Sequence, residues 1–477
     1  MASDTQKVGI IGAGPAGLAA AYELTKQGVS VDVFEGGRSL GGMAGSFALW
    51  GQIVDFGPHR FFSTDGRVNA VWREVMGDDY DMIDRLTRIY YNNTFFDYPL
   101  KALDALKGLG FPEAVRCIGS YGLARLFPQV NETTFQSWVS NRFGSRLFEI
   151  FFKSYSEKLW GISCDDLDAD FAAQRIKQFS LSAAIKAAIL GTQGSRHKTL
   201  LDQFAYPKRG SGDLYRKMGG KIEAGGGRIH LDAPVRRVGI DQAEKPFIEL
   251  RTGEIGRFDH VISSMPLTAL VAGLDPPAPI AECAARLRFR NTILCYLEIE
   301  GDSYFPDQWI YVHSPNLQTG RITNFRNWSP SLCGQSPNTI VCLEYWCNGD
   351  DSLWSTPDAQ IGVIARREML EAGLAGNATI LNDHVVRVAK SYPVYGRGYR
   401  RNLEPIEQFL RTFPRVHPIG RYGAFKYNNQ DHSILMGILV AENIAGSAAH
   451  DLWKINTDGN YQEAGALSET GLLKAAV

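Results

Sequence analysis

A chain of 477 residues is too long for one small core and implies roughly three structural units. Its hydrophobic share of 44% and charged share of 21% are ordinary for a globular enzyme. A net charge of −1 excludes a global field that would favour nucleic acid or an anionic membrane. The cysteines at 117, 164, 283, 295, 333, 342 and 347 form no Cys-x-x-Cys pair. Their odd count argues against a disulfide framework, so the expected compartment is the reducing cytoplasm. Residues 1–7 lack a signal-peptide pattern, and no run approaches the ~20 apolar residues of a membrane span.

Residues 8–11 are an expected strand, followed at once by Gly12-Ala13-Gly14-Pro15-Ala16-Gly17. Residues 18–27 read as a helix ended by Gly28, and 29–34 as a second strand closing on Glu35. This is a strand–helix–strand unit with glycines at G-x-G-x-x-G spacing. Gly12 permits the tight turn, Gly14 lets a pyrophosphate approach the backbone, and Gly17 lets helix and strand pack closely. The helix N-terminus beside Ala16 offers free N–H groups and positive dipole to phosphates. Glu35 sits where a ribose hydroxyl is bound. NAD and FAD share this fingerprint.

A second glycine-rich loop, Gly41-Gly42-Met43-Ala44-Gly45, comes next, and residues 53–55 run as a strand into Phe56-Gly57-Pro58-His59. Here the sequence resembles the large FAD family of amine oxidases, protoporphyrinogen oxidases and sugar-nucleotide mutases. The resemblance implies that Gly42 and Met43 pass along FAD and that His59 lies beside its isoalloxazine.

Residues 100–205 are rich in helical patterning. Apolar residues recur at helical spacing over 132–152, and 182–191 reads as a buried helix. From Lys221 the pattern changes to turns and strands, 225–231 and 235–238, with another strand at 258–264. This returning segment, Val235 included, completes the nucleotide-binding domain in the family. Gly210-Ser211-Gly212 is expected to lack strand–turn–helix context, so no second dinucleotide fingerprint follows the first. The runs 292–299, 309–313, 320–327 and 339–347 read as antiparallel strands. A short strand is expected at 416–420 and a helix at 433–445 with Gly446 after its end. The tail after Leu452 shows little periodicity and is expected to be disordered.

The expected fold class is α/β: a discontinuous Rossmann-like FAD-binding domain (1–85, 206–285 and 412–455), a helical insertion (96–205), an antiparallel β-sheet substrate domain (86–95 and 286–411), and a tail (456–477).

Two stretches narrow the family. Phe152-Lys153-Ser154-Tyr155-Ser156-Glu157-Lys158-Leu159-Trp160-Gly161, with Arg175 following, and Gly420-Arg421-Tyr422-Gly423-Ala424-Phe425-Lys426-Tyr427-Asn428-Asn429-Gln430-Asp431 are similar to UDP-galactopyranose mutases, as is Tyr392-Pro393-Val394-Tyr395. That resemblance implies a flavin-dependent pyranose–furanose mutase that isomerises a nucleotide-diphosphate sugar, reduced flavin N5 attacking the anomeric carbon. The resemblance implies too that FAD is active only when reduced and that NAD(P)H serves as a transient reductant.

By the same resemblance Arg175 and Arg321 bind the diphosphate, Tyr392 and Tyr427 touch the phosphates, and Trp160 lies near the substrate cleft. Arg421 lies beside the flavin, and Asp431 completes the cofactor set. Arginine suits a departing diphosphate because it binds bidentately without losing its proton. Departures stand beside the matches: Phe62 where bacterial mutases carry a second histidine, Phe425 where a tyrosine is usual, and Asn429 in place of a catalytic-site aspartate. The alternative is an FAD oxidase or desaturase of an amine, porphyrinogen or polyene, which calls for an apolar tunnel and little arginine. A non-catalytic binding protein in the manner of GDP-dissociation inhibitors is disfavoured by the intact glycines and Glu35.

Overall fold

The computed structural model describes residues 6–100, 102–170, 202–456 and Leu472. The fold is mixed α/β. A five-stranded, all-parallel sheet runs in the order Val416–Pro418, His260–Ser263, Lys7–Ile11, Ser30–Phe34, Arg228–His230. Its strands Lys7–Ile11 and Ser30–Phe34 are short runs buried on both faces, as inner parallel strands require, and the edge strand Arg228–His230 is more exposed. Helix α1 (Pro15–Lys26) crosses between its first two strands and buries Leu18, Ala19, Ala20 and Leu24. A seven-stranded sheet gathers Phe289–Ile299, Thr339–Cys347 and their neighbours with Thr87–Tyr91 and Thr94–Asp97. It is antiparallel except where Trp309–Val312 lies parallel to Thr87–Tyr91, a strand delivered from the far N-terminal side of the chain.

The helical spacing over 132–152 is met by several short helices. Helix α2 (Phe111–Leu126) precedes α3 (Phe135–Phe143), which stops at Gly144 with φ +83°. The absence of a side chain there lets the backbone approach Tyr121, since an added Cβ would sit 2.6 Å from the Tyr121 nitrogen. A short π-type turn then leads into α4 (Ser154–Trp160). The helix expected at 182–191 lies outside the described residues. The sequence reading assigns 86–95 and 286–411 to the sheet domain without resolving the three individual strands at 80–97 or the 14-residue strand Ile380–Pro393.

One expectation is overturned. Gly210-Ser211-Gly212 does stand between a strand, Gln203–Pro207, and a helix, α5 (Gly212–Ala224). It makes no second nucleotide loop because its N–H groups are already taken. Ser211 N–H donates to Asp55 at 3.1 Å and Gly212 N–H to the Ser46 hydroxyl at 2.7 Å. Asp55 is fully buried and also accepts from Ser46 Oγ (2.5 Å) and Tyr206 Oη (2.7 Å), while its backbone carbonyl accepts from Tyr296 of the large sheet (2.7 Å). Burial pushes its carboxyl up to about 7 against those three donors.

The tail reading is also corrected in part. Leu452–Lys454 is a 3-10 turn, and Leu472 is buried, its carbonyl accepting from Tyr80 Oη. Lys426 holds the 451–456 segment by donating to the Trp453 and Ile455 carbonyls and Arg411 by its contact with Asp451, and neither leaves a periodic trace. Helix α6 (Gln430–Ile444) begins three residues earlier than expected and ends before Gly446, φ +75°. All seven thiols are unpaired, and no described helix is long and apolar enough to cross a membrane.

Asp55→Asn should destabilise the fold by about 1–3 kcal/mol, because its amide NH₂ would face the Ser211 N–H, a donor that cannot rotate away. Urea denaturation monitored by far-UV circular dichroism checks this, and an unchanged midpoint would remove Asp55 from its central place.

Candidate active site

One cavity of about 1170 Å³ runs from the edge of the parallel sheet to the large sheet. Gly12 opens it. Its φ is +93°, and an added Cβ would lie 2.2 Å from Ser264 Oγ. Gly17 stands behind the wall, where a Cβ would sit 2.0 Å from the Gly12 carbonyl oxygen, so its part is close packing. Gly14 faces open space, with only the Gly42 Cα at 4.0 Å from an added Cβ. Glu35 accepts from Ala13 N–H and Gly37 N–H, each at 2.8 Å, which fixes the carboxylate at the end of the second strand. Gly41 N–H donates to the Ala13 carbonyl at 2.8 Å and ties the second glycine loop to the first.

Gly12, Gly14, Ala16, Glu35, Gly42, Met43, His59, Val235 and Arg421 all line this cavity. Helix α6 brings a second N-terminus to it through Asn429, Gln430 and Ser433. These features fit a dinucleotide cofactor: a side-chain-free cradle at Gly14, two positive helix ends and a fixed carboxylate. Asp431 does not line the cavity; it is buried in the first turn of α6, 3.2 Å from His432 Nδ1.

His59 lies within hydrogen-bond distance of the Gly57 carbonyl, 3.0 Å from Nδ1. A carbonyl only accepts, so Nδ1 carries the proton and Nε2 the lone pair. Burial, reinforced by the Arg321 and Arg421 charges, pushes the imidazole down to about 3, and it stays neutral.

The other half of the cavity belongs to the large sheet and the helical insertion. Arg321 stands directly across from Glu344 in the strand register, and its Nε and Nη2 each donate to that carboxylate at 2.6 Å. Burial is the largest single effect and lowers the guanidinium, but the Glu344 charge and hydrogen bonds, together with Tyr392 and Tyr155, outweigh it and hold Arg321 well above its ordinary value. The same carboxylate abuts Gly57, where an added Cβ would meet Oε1 at 3.2 Å.

Tyr392 and Tyr427 stack at 5.6 Å, and the Arg421 guanidinium lies 4.9 and 4.7 Å from their ring centres. Trp160 packs edge-on to both, at 6.3 and 5.6 Å. Burial raises Tyr392 to about 12 and Tyr155 well above its ordinary value, so both hydroxyls remain donors. Asn429 lines the cavity too, but it forms a reciprocal capping box with His432 at the start of α6. Arg175 lies outside the described residues.

Trp160 is held from behind by two cations that the sequence reading passed over. Arg290 donates to the carbonyls of Lys158, Leu159 and Trp346 at 3.0, 3.2 and 2.7 Å, capping the last turn of α4. Lys158 Nζ donates to the carbonyls of Val312, Ser314 and Thr319. Glu344 had one visible signal, a lone charge inside an otherwise apolar strand run, whereas Arg290, close behind Arg286 and Arg288, had none.

A sequence-family profile described as flavin containing amine oxidoreductase matches residues 15–445, and the chain belongs to that family. The family implies FAD, which the cradle above accommodates. The fold is shared with the solved structure of a reduced UDP-galactopyranose mutase, at TM-score 0.82 and 20% identity, over 94% of this chain and 97% of that one. It is shared too with a putative protoporphyrinogen oxidase from Exiguobacterium sp. 255-15, at TM-score 0.71 and 16% identity, over 94% and 100%. Among curated proteins the chain is similar to zeta-carotene desaturases. That of Zea mays is 36% identical over 87 residues, 18% of this chain and 15% of the relative. That of Arabidopsis thaliana is 26% identical over 269 residues, 50% of this chain and 45% of the relative. Less than half of either relative's length is therefore matched.

Gly14→Val should fold normally, since the position is open, yet purify without flavin, because the side chain would fill the cradle. Absorbance in the flavin bands against the thermal midpoint separates the two effects, and full flavin occupancy would refute the loop assignment.

His59 also makes stability depend on pH. Its folded value of about 3 lies below the ordinary ~6.5, so the unfolded chain binds the extra proton between them and stability drops as pH falls through that window. His59→Asn should flatten the slope by up to about 1.4 kcal/mol per pH unit in denaturation series between pH 4 and 7.

Proposed function

We propose that this flavin-containing amine oxidoreductase is a cytoplasmic pyranose–furanose mutase acting on a nucleotide-diphosphate sugar. The observation that carries the reading is Arg321, a largely buried guanidinium in the substrate half of the cavity, fixed by Glu344 and accompanied by Tyr155, Tyr392 and Tyr427. An apolar substrate has no use for such a group, whereas a departing diphosphate needs it.

When bound and reduced, FAD would supply a nucleophilic, electron-rich centre for chemistry at the anomeric carbon. A nicotinamide is the proposed source of the electrons, spent once rather than at each turnover. The chain's own residues do the rest. Glu344 occupies the side-on edge of Arg321, which leaves the end-on Nη1/Nη2 pair for phosphate oxygens rather than the side-on bidentate contact. The tyrosine hydroxyls add donors from side chains already fixed by stacking. Arg421 and the N-terminus of α6 favour negative charge at the cofactor end. Neutral His59 presents an acceptor and no charge. Arg175 is proposed as the second diphosphate arginine.

A second reading, an oxidase or desaturase of an apolar molecule, is supported by Leu100, Phe135, Phe151 and Phe152, which give the same cavity an apolar lobe. Similarity to proteins named zeta-carotene desaturase supports it too.

Dithionite-reduced enzyme incubated anaerobically with a panel of nucleotide sugars should yield isobaric products without stoichiometric use of reductant, and oxidised enzyme should yield none. Oxygen uptake by oxidised enzyme with a polyene or amine, together with inert nucleotide sugars, would favour the second reading instead. Arg321→Ala combined with Glu344→Gln, which avoids stranding a buried carboxylate, should weaken nucleoside diphosphate binding roughly 10- to 200-fold by calorimetric titration.

A further inference from the structure

Helix α2 exposes an apolar face that the cavity does not use. Thirteen large hydrophobic side chains are exposed among the described residues, and seven of them fall within residues 111–130. Exposure reaches 82% at Phe111, 73% at Leu126, 77% at Phe127 and 95% at Val130. Scattered exposed apolar residues are normal, but a concentration of this kind marks a contact surface. The opposite side of α2 makes the contact with the rest of the fold: Cys117 is buried in the core, Tyr121 packs against it, and Gly144 admits the helix backbone closely.

The pattern on the exposed side identifies the partner. Steps of three and four residues put Phe111, Val115, Ile118, Gly122 and Leu126 on one stripe. Arg116 and Arg125 fall on its two flanks, and both are exposed. Residues 101–130 carry four basic and two acidic side chains in a protein of net charge −1. One of those acids, Glu113, is already bound by Arg116 and Arg146. Phenylalanines mark both ends of the stripe. An apolar stripe between cationic flanks is complementary to acyl chains beneath anionic headgroups, whereas the centre of a protein interface is depleted of charge and ringed by mixed polar groups.

We propose that α2 docks the protein on an anionic lipid surface, the helix lying in the headgroup plane with Phe111, Leu126 and Phe127 inserted and Arg116 and Arg125 at the phosphates. The proposal is independent of the reaction assigned to the cavity, because it uses none of the residues that line it.

The test is sedimentation of the full-length holoenzyme with vesicles of phosphatidylcholine containing about one-third phosphatidylglycerol, against phosphatidylcholine alone. Wild type should partition to the anionic vesicles and be released when salt rises from about 0.05 to 0.5 M. Leu126→Asp with Phe127→Asp should weaken that partition about tenfold or more, with flavin content and circular dichroism unchanged because both side chains are exposed. Arg116→Gln with Arg125→Gln should abolish the preference for anionic vesicles. Failure of wild type to bind overturns the proposal, and so does unaltered binding by the aspartate variant. Light scattering that shows a wild-type dimer converted to monomer by those same aspartates, with no vesicle binding, overturns it in favour of a second copy.

Discussion

The site depends on how closely α1 and α6 can cross. At Gly437 an added Cβ would lie 2.5 Å from the Ala16 carbonyl oxygen and 2.8 Å from the Ala20 nitrogen, so the two helices touch backbone to backbone. That contact brings the N-terminus of a helix from the end of the chain beside the N-terminus of a helix from its beginning. Gly420 and Gly423, on the turn before α6, extend the approach against Ala16 and Ser263. One cavity thereby receives two positive helix ends, and an anionic cofactor meets both without a single lysine.

The far half is organised by charge held in place rather than by charge exposed. Arg321, Arg290 and Lys158 are each saturated largely by a fixed carboxylate or by backbone carbonyls. Arg321 reaches the cavity already neutralised on one edge, and the other two shape the wall by holding Trp160. A polar end around Arg321 and an apolar lobe around Phe151 therefore coexist in one space. Only the arginine end distinguishes the reading preferred for this chain from the second one.

The cofactor half was legible because a backbone that must approach a phosphate can be built in few ways. Glycines at 12, 14 and 17, a second loop at 41–42 and an acid at 35 are local requirements, written at short spacing. The substrate half was less so. Glu344 meets Arg321 only through strand register, and Arg290 reaches α4 from 130 residues away. Strand Ile380–Pro393 is half-exposed over most of its length and shifts register against its neighbour, so it shows no clean alternation. The 210–212 loop looked idle because its partners, Ser46 and Asp55, sit in a distant hairpin.

The loop bearing Tyr427 is braced by the end of the chain. Lys426 Nζ donates to the carbonyls of Trp453 and Ile455 at 2.6 and 2.7 Å, and burial pushes that amine down to about 8. Asn456 donates to the Tyr427 carbonyl and to Asn428 Oδ1, each at 3.0 Å. Residues with no catalytic chemistry of their own thus form the rear support of a cavity wall. For anyone trimming this chain, the boundary must lie beyond Asn456, and beyond Leu472 if its buried contact with Tyr80 is to be kept. A cut at 450 would keep every cavity-lining residue and still leave the tyrosine loop without its buttress.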